Sequence, residues 1–233
     1  MLALLDIDGT LLIGRPHAHV EALAAAAGDV FDVPAVPGDV VAIGPGGRTD
    51  REIARLILRR HGVPDGRITE GLPAWMARAW ELYPALAPLH PPPEVAPGAA
   101  DALEALRRDG VGLALLTGNL EPIAHAKMEA AGLGDWFPHG RGAFGSDHDR
   151  RDALVPIARA RDGGDRDIVV VGDTPRDIAC ALAGGARCVA VTTGQHGPDE
   201  LSAADAVTAG LPAAAAVILA WRAQSPAARA AAS

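Results

Sequence analysis

The chain is nearly without lysine. Twenty of its 21 strongly basic residues are arginine, and Lys127 alone carries an ammonium side chain. In so biased a composition, the single retained lysine marks a position to watch. Aromatics are scarce as well, at 3% of residues, with one tyrosine and three phenylalanines. The core must therefore be aliphatic, and the abundance of alanine makes it rich in helix. Two cysteines, Cys180 and Cys188, are too few for a disulfide framework, and neither sits in a metal or redox motif. They read as buried reduced thiols of a cytoplasmic protein. No run reaches the roughly 18 apolar residues of a membrane-spanning helix; the Ala-rich stretch 212–221 is too short. The first apolar run begins at residue 3, which leaves no room for a signal peptide ahead of it. Positive charge is lacking too. The net charge of −8 excludes a general nucleic-acid or anionic-membrane surface.

What is present fits one large globular domain, or one domain carrying an insert: 233 residues, 49% hydrophobic and 21% charged. A buried strand, 3–5, runs into Asp6-Ile7-Asp8-Gly9-Thr10. Two carboxylates so close repel each other, and are tolerated where a cation sits between them or one keeps its proton. Gly9 can bend the chain and re-aim the second carboxylate. From Gly14 to Pro91 the pattern is mainly helical, with no convincing buried strand. Helices are expected at 17–27, 49–62 and 73–83. A Gly/Pro/Asp-rich loop, 28–47, separates the first two, and Thr49 with Glu52 forms a capping box. The prolines from Pro84 to Pro93 make a stiff extended connection. From Pro97 onward the elements alternate. Helices are expected at 99–108, 121–131, 151–161 and 178–183, and strands at 112–116, 167–171 and 187–191. A last helix closes at 217–221, and the tail beyond Gln224 reads as loose. Such alternation implies a Rossmann-like parallel sheet with helices on both faces. The fold class is thus α/β, with a core domain over 1–13 and 92–233 and a small α-helical domain inserted over 14–91.

Three strands end in polar clusters: Asp6/Asp8, Thr117-Gly118-Asn119 and Asp173/Asp177. In a parallel sheet these meet at the carboxyl edge, where such folds bind ligands. Convergent acidic oxygens suit magnesium. A hydroxyl and the next backbone N–H, set before a helix, suit a phosphoryl oxygen, although Thr117 reads equally as the cap of the helix that follows. Lys127, eight residues after Asn119, adds a compact point charge.

The motifs carry a family resemblance. Asp6-Ile7-Asp8-Gly9-Thr10 resembles the first motif, DxDGT, of the haloacid dehalogenase (HAD) superfamily. Thr117 resembles the second, Lys127 the third, and Gly172-Asp173-Thr174-Pro175-Arg176-Asp177 the fourth, GDxxxD. In many relatives the third motif lies further downstream, where this chain offers only arginines such as Arg150 and Arg151; Lys127 is preferred over them. Gly47-Arg48-Thr49-Asp50 resembles the cap segment of phosphoglycolate-phosphatase-like members. The likeness spans 1–221.

The resemblance implies a HAD-like core whose helical insert is a cap closing over the site. It implies a Mg²⁺-dependent phosphatase acting on a small phosphorylated metabolite of the phosphoglycolate kind, as a monomer or homodimer. Asp6 would be the nucleophile that forms an aspartyl-phosphate, and Asp8 the acid and base. Mg²⁺ would be held by the Asp6 side chain, the Asp8 backbone carbonyl and Asp173, with Asp177 assisting. Lys127, Thr117 and backbone amides such as those of Gly118 and Asn119 would bind and stabilise the phosphoryl group. Arg48 reads equally as a substrate contact and as a surface arginine. His17 and His19 read first as solvated histidines near the core–cap hinge, and second as substrate contacts. Ser146, Asp147 and His148 follow a glycine-rich turn and take no assigned role. Asp8 argues against a dehalogenase, which requires no proton donor there. A sugar-phosphate mutase of the same superfamily, and a non-catalytic relative that binds a phosphorylated ligand, are the alternatives.

Overall fold

The computed structural model describes residues 1–164 and 166–224. β1 (Leu2–Leu5) is buried along its length. A tight loop, in which Leu11 and Leu12 both donate to the carbonyl of Ile7, leads into β2 (Leu12–Ile13). Four helices follow: α1 (His17–Phe31), α2 (Pro37–Ala42), α3 (Asp50–Arg60) and α4 (Asp65–Leu86). β3 (Glu94–Val95) pairs antiparallel with β2, so the two segments that join the helical unit to the sheet are tied together. Next come α5 (Ala99–Arg108), β4 (Gly112–Leu115), α6 (Glu121–Ala130) and α7 (Leu154–Arg161). β5 (Ile168–Gly172), α8 (Pro175–Ala183), β6 (Arg187–Val191), β7 (Ala206–Thr208) and α9 (Leu211–Ala223) complete the order. The five-stranded sheet runs β4-β1-β5-β6-β7, every pair parallel. The fold class is the α/β class expected.

Alternation along the strands sorts side chains to two faces. Ala3, Leu5, Val169 and Val171 meet Leu103 and Leu106 of α5, Met128 of α6 and Ile218 of α9. Leu2, Leu4 and Val170 meet Leu154 of α7 and Ile178 of α8 on the other side. Both faces are covered, which is why the strands read as continuous apolar runs. Cys180 and Cys188 are buried free thiols. Burial pushes Cys180 up to about 11 and raises Cys188 as well, so both are inert as nucleophiles.

The helical unit has its own core of Leu23, Phe31, Ile57, Leu72 and Trp75, which Leu120 and Ile123 at the start of α6 join. Trp75 Nε1 donates to the Leu23 carbonyl at 3.2 Å. Here the structure departs from expectation. α4 begins at Asp65 and passes through Pro73 and Pro84, and α1 extends to Phe31. Gly66, Gly71 and Pro73 weaken a helix by propensity, but packing against α1 outweighs them. At Gly71 an added Cβ would lie 2.5 Å from the Phe31 ring, so glycine allows the two helices their close approach. α2 occupies part of the expected loop. Arg151–Ala153 forms a 3₁₀ turn ahead of α7. β2, β3 and β7, of two or three residues each, are too short to show a strand period. The expected loose tail lies outside the described residues. Among the described residues, no helix is long and apolar enough to cross a membrane.

Candidate active site

β4, β1 and β5 end side by side, and this brings Thr117-Gly118-Asn119, Asp6/Asp8 and Asp173 together. Two glycines wall in Asp173. A Cβ at Gly9, where φ is 92°, would fall 2.3 Å from Asp173 Oδ2, and one at Gly194 would fall 1.8 Å from it. The site divides into an acidic half and a half organised by Lys127.

In the acidic half, Asp6, Asp173 and Asp177 are buried, and each offers a carboxylate oxygen within 4.8 Å of the others. Arg151 is buried among them. Its Nη2 stands 3.0 Å from Asp6 Oδ1 and pairs with Asp177 Oδ1. The second Asp177 oxygen accepts from Thr174 N at 3.0 Å and Thr174 Oγ1 at 2.7 Å, closing the capping box of α8. The Asp173 carboxylate accepts from the Thr10 hydroxyl at 3.3 Å. Burial, then the neighbouring Asp6 and Asp177, push Asp173 up to about 8. Burial, opposed by Arg151, pushes Asp6 up to about 6. Burial also works against the Arg151 charge, but Asp177 and Asp6 outweigh it and raise the group further. One guanidinium among three buried carboxylates leaves negative charge over, and oxygen donors so grouped fit a hard divalent cation.

In the second half, Lys127 Nζ donates to Asp8 Oδ1 and Oδ2 at 2.8 and 2.7 Å, and to Asn119 Oδ1 at 2.6 Å. It also lies 3.2 Å from His19 Nδ1. Asn119 Nδ2 donates to Asp8 Oδ2 at 2.9 Å and to Thr117 Oγ1 at 3.1 Å. Burial acts to raise Asp8, but Lys127 foremost outweighs it and holds the carboxyl below its ordinary range.

The helical unit closes directly onto the strand ends. Asp50 N donates to the Gly118 carbonyl at 2.7 Å, and Arg176 Nη1 to the Gly46 carbonyl at 2.8 Å. Arg51 and Arg55 both pair with Asp149, at 2.7 and 2.6 Å. A Cβ at Gly118 would lie 1.8 Å from the Arg48 carbonyl oxygen. Arg48 thus meets the site through its backbone, while its side chain pairs with Glu52 and donates to the Gly44 carbonyl at 3.2 Å.

His19 corrects the expectation of a solvated histidine. α1 begins at His17 and turns His19 inward, where it is 4% exposed and bonded at both ring nitrogens. His17 is exposed and stacks on His90, centroids 5.8 Å apart. Ser146 Oγ accepts from Glu121 N at 2.8 Å, and Asp147 pairs with Arg161 at 2.7 Å, so both hold loops. Of the two downstream arginines, Arg150 pairs with Asp152 on the surface and Arg151 reaches the acidic trio. Lys127 and Arg151 therefore both enter the site, one at each aspartate of the first motif.

The family model described as haloacid dehalogenase-like hydrolase matches residues 1–185. Phosphoglycolate phosphatase 1 of Pseudomonas aeruginosa is 32% identical over 206 residues, 84% of this chain and 71% of that protein. Among solved structures, a predicted phosphoglycolate phosphatase from Haemophilus somnus superposes with a TM-score of 0.65 at 20% identity, covering 93% of this chain and 97% of that one. CbbY from Rhodobacter sphaeroides, solved in complex with phosphate, gives 0.64 at 20% identity, covering 91% and 94%. These two structures share the fold.

Proposed function

The chain belongs to the haloacid dehalogenase-like hydrolases, and on that premise we propose that it is a phosphatase acting on a small phosphomonoester through an aspartyl-phosphate on Asp6, with Mg²⁺ as cofactor. The observation that carries this reading is the contrast between two aspartates one residue apart. Asp6 lies in the acidic trio and Asp8 lies against Lys127 and Asn119. Neighbouring carboxylates in unlike surroundings take unlike roles.

Asp6 attacks phosphorus, the ester P–O bond breaks, and Asp8 gives its proton to the departing oxygen. Asp8 then takes a proton from water, the water oxygen attacks phosphorus, and the bond to Asp6 breaks. Lys127 keeps Asp8 in its base form at rest; an arriving phosphate dianion raises its hold on the proton that the first step consumes. Thr117 Oγ and the N–H groups of Gly118 and Asn119 hold phosphoryl oxygens, while Lys127 and Arg151 offset the charge that gathers there. The Asp6 and Asp173 carboxylates and the Asp8 backbone carbonyl would hold Mg²⁺. Asp177, with both oxygens engaged, acts behind them by fixing Arg151 and α8. Bound there, Mg²⁺ supplies charge neutralisation at the phosphoryl group.

Residues 14–91 serve as the cap and residues 1–13 and 92–233 as the catalytic core. The close seating of the cap supports a small substrate, and the relative named phosphoglycolate phosphatase supports one of the phosphoglycolate kind. Arg48 reaches such a substrate only by leaving Glu52. The test is phosphate release from a panel of small phosphomonoesters with Mg²⁺ and with EDTA. Release that requires metal and vanishes in Asp6→Asn supports the reading. Isomerisation of a sugar phosphate without release would assign a mutase instead.

A further inference from the structure

His19 and Asp50 take no part in the steps above, yet both are buried; His19 faces Lys127, and Asp50 holds the far side of the His19 ring. We infer that they form a positioning pair that holds Lys127 on Asp8 while the cap is closed. The inference rests on the phosphatase reading of Asp8.

Asp50 Oδ2 lies 2.8 Å from His19 Nε2 and accepts from Leu120 N at 2.7 Å. A carboxylate acceptor at Nε2 fixes the imidazole hydrogen there and leaves the Nδ1 lone pair free. That lone pair faces Lys127 Nζ at 3.2 Å. An ammonium has three hydrogens, and Asp8, Asn119 Oδ1 and His19 Nδ1 account for all three. The other imidazole tautomer would set an N–H against the ammonium, two donors face to face. Asp50 therefore decides which way His19 points, and His19 supplies the third anchor of a side chain that is otherwise flexible.

The string also crosses from cap to core. His19 lies on α1 and Asp50 opens α3, whereas Lys127, Asn119 and Leu120 belong to α6 and the turn before it. Asp50 N is anchored in turn on the Gly118 carbonyl. Lifting the cap removes the acceptor from Lys127 and both partners from Gly118 and Leu120 at once. The Nδ1 contact thus ties closure to the cation that holds Asp8 in place, and small displacements of such a group cost rate rather than binding.

Two readouts test the pair in the full chain. Long-range ¹⁵N–¹H correlation of the His19 ring should show a protonated Nε2 and a bare Nδ1, and Asp50→Ala should abolish that fixed tautomer. In kinetics, His19→Gln can still reach Asp50 but has no acceptor where Nδ1 stands; its kcat should fall by about tenfold or more, with KM changed by less than about threefold. His19→Asn places its oxygen near the Nδ1 position and should recover part of that kcat. A protonated Nδ1, a His19→Gln kcat within about twofold of wild type, or His19→Asn no better than His19→Gln would overturn the inference. Wild-type protein that shows the expected tautomer but releases no phosphate would strike the phosphatase reading and leave the pair standing.

Discussion

Arg151 pairs with two buried carboxylates, and its loss leaves Asp6 and Asp177 without their counter-charge. Arg151→Ala should cost about 3–5 kcal/mol in urea unfolding with EDTA present, because a stranded buried charge is costlier than a lost pair. Arg151→Lys, which keeps the charge but not the fork, should recover part of it; unchanged stability in Arg151→Ala would contradict this electrostatic account. A second prediction concerns pH. Asp6 and Asp173 titrate at about 6 and about 8 in the folded protein, above the ordinary 3.8. The folded state therefore holds protons that the unfolded chain has released. That contribution is full below about pH 4 and is lost as pH rises through about 8. Thermal unfolding in EDTA should show midpoints falling across this window, with a flatter slope in Asp173→Asn, and the gain from added Mg²⁺ should grow over the same range. A slope unchanged in Asp173→Asn would remove Asp173 as its source. At this scale the convergence of Asp6, Asp8, Thr117 and Asp173 was legible, because each lies at a strand end and the sheet gathers strand ends. Lys127 stood out against a background of arginine, and Arg151 was hidden by that same background. His19 read first as a solvated histidine and Asp50 only as part of a cap-like segment; their partnership was not legible, since it depends on how two helices of the insert seat on the sheet.

β1, with neighbours β4 and β5, fixes the site, and the seam between α3 and the end of β4 fixes the cap. Gly118→Ala tests that seam. The added methyl would fall 1.8 Å from the Arg48 carbonyl oxygen, so α3 must lift. Amide hydrogen exchange should rise over residues 44–52, and kcat/KM should drop by about tenfold or more. Unchanged exchange over that segment would show that the cap does not bear on Gly118. Elements were most legible where periodicity and caps agreed: the bounds of α5 and β6 follow from apolar spacing and from the glycines that end the preceding runs. They were least legible in the cap. There α4 spans two prolines because α1 offers it an alanine-rich face and Gly71 lets Phe31 in, information that lies in the packing and not in local propensity.

At the scale of the molecule, one parallel sheet gathers the candidate site at its carboxyl edge and the helical unit packs against that edge, with β2 and β3 as the paired crossing. That division was legible because strand–helix alternation stops near Gly14 and resumes near Pro97. The central claim is that the phosphoryl group passes through Asp6. The most direct test is to quench wild-type protein in acid during turnover of an aryl phosphate, reduce with borohydride, and map the peptides. An aspartyl-phosphate is reduced to homoserine, and the account predicts it at position 6. Turnover with no reduced residue, or with one at position 8 or 173, would contradict it.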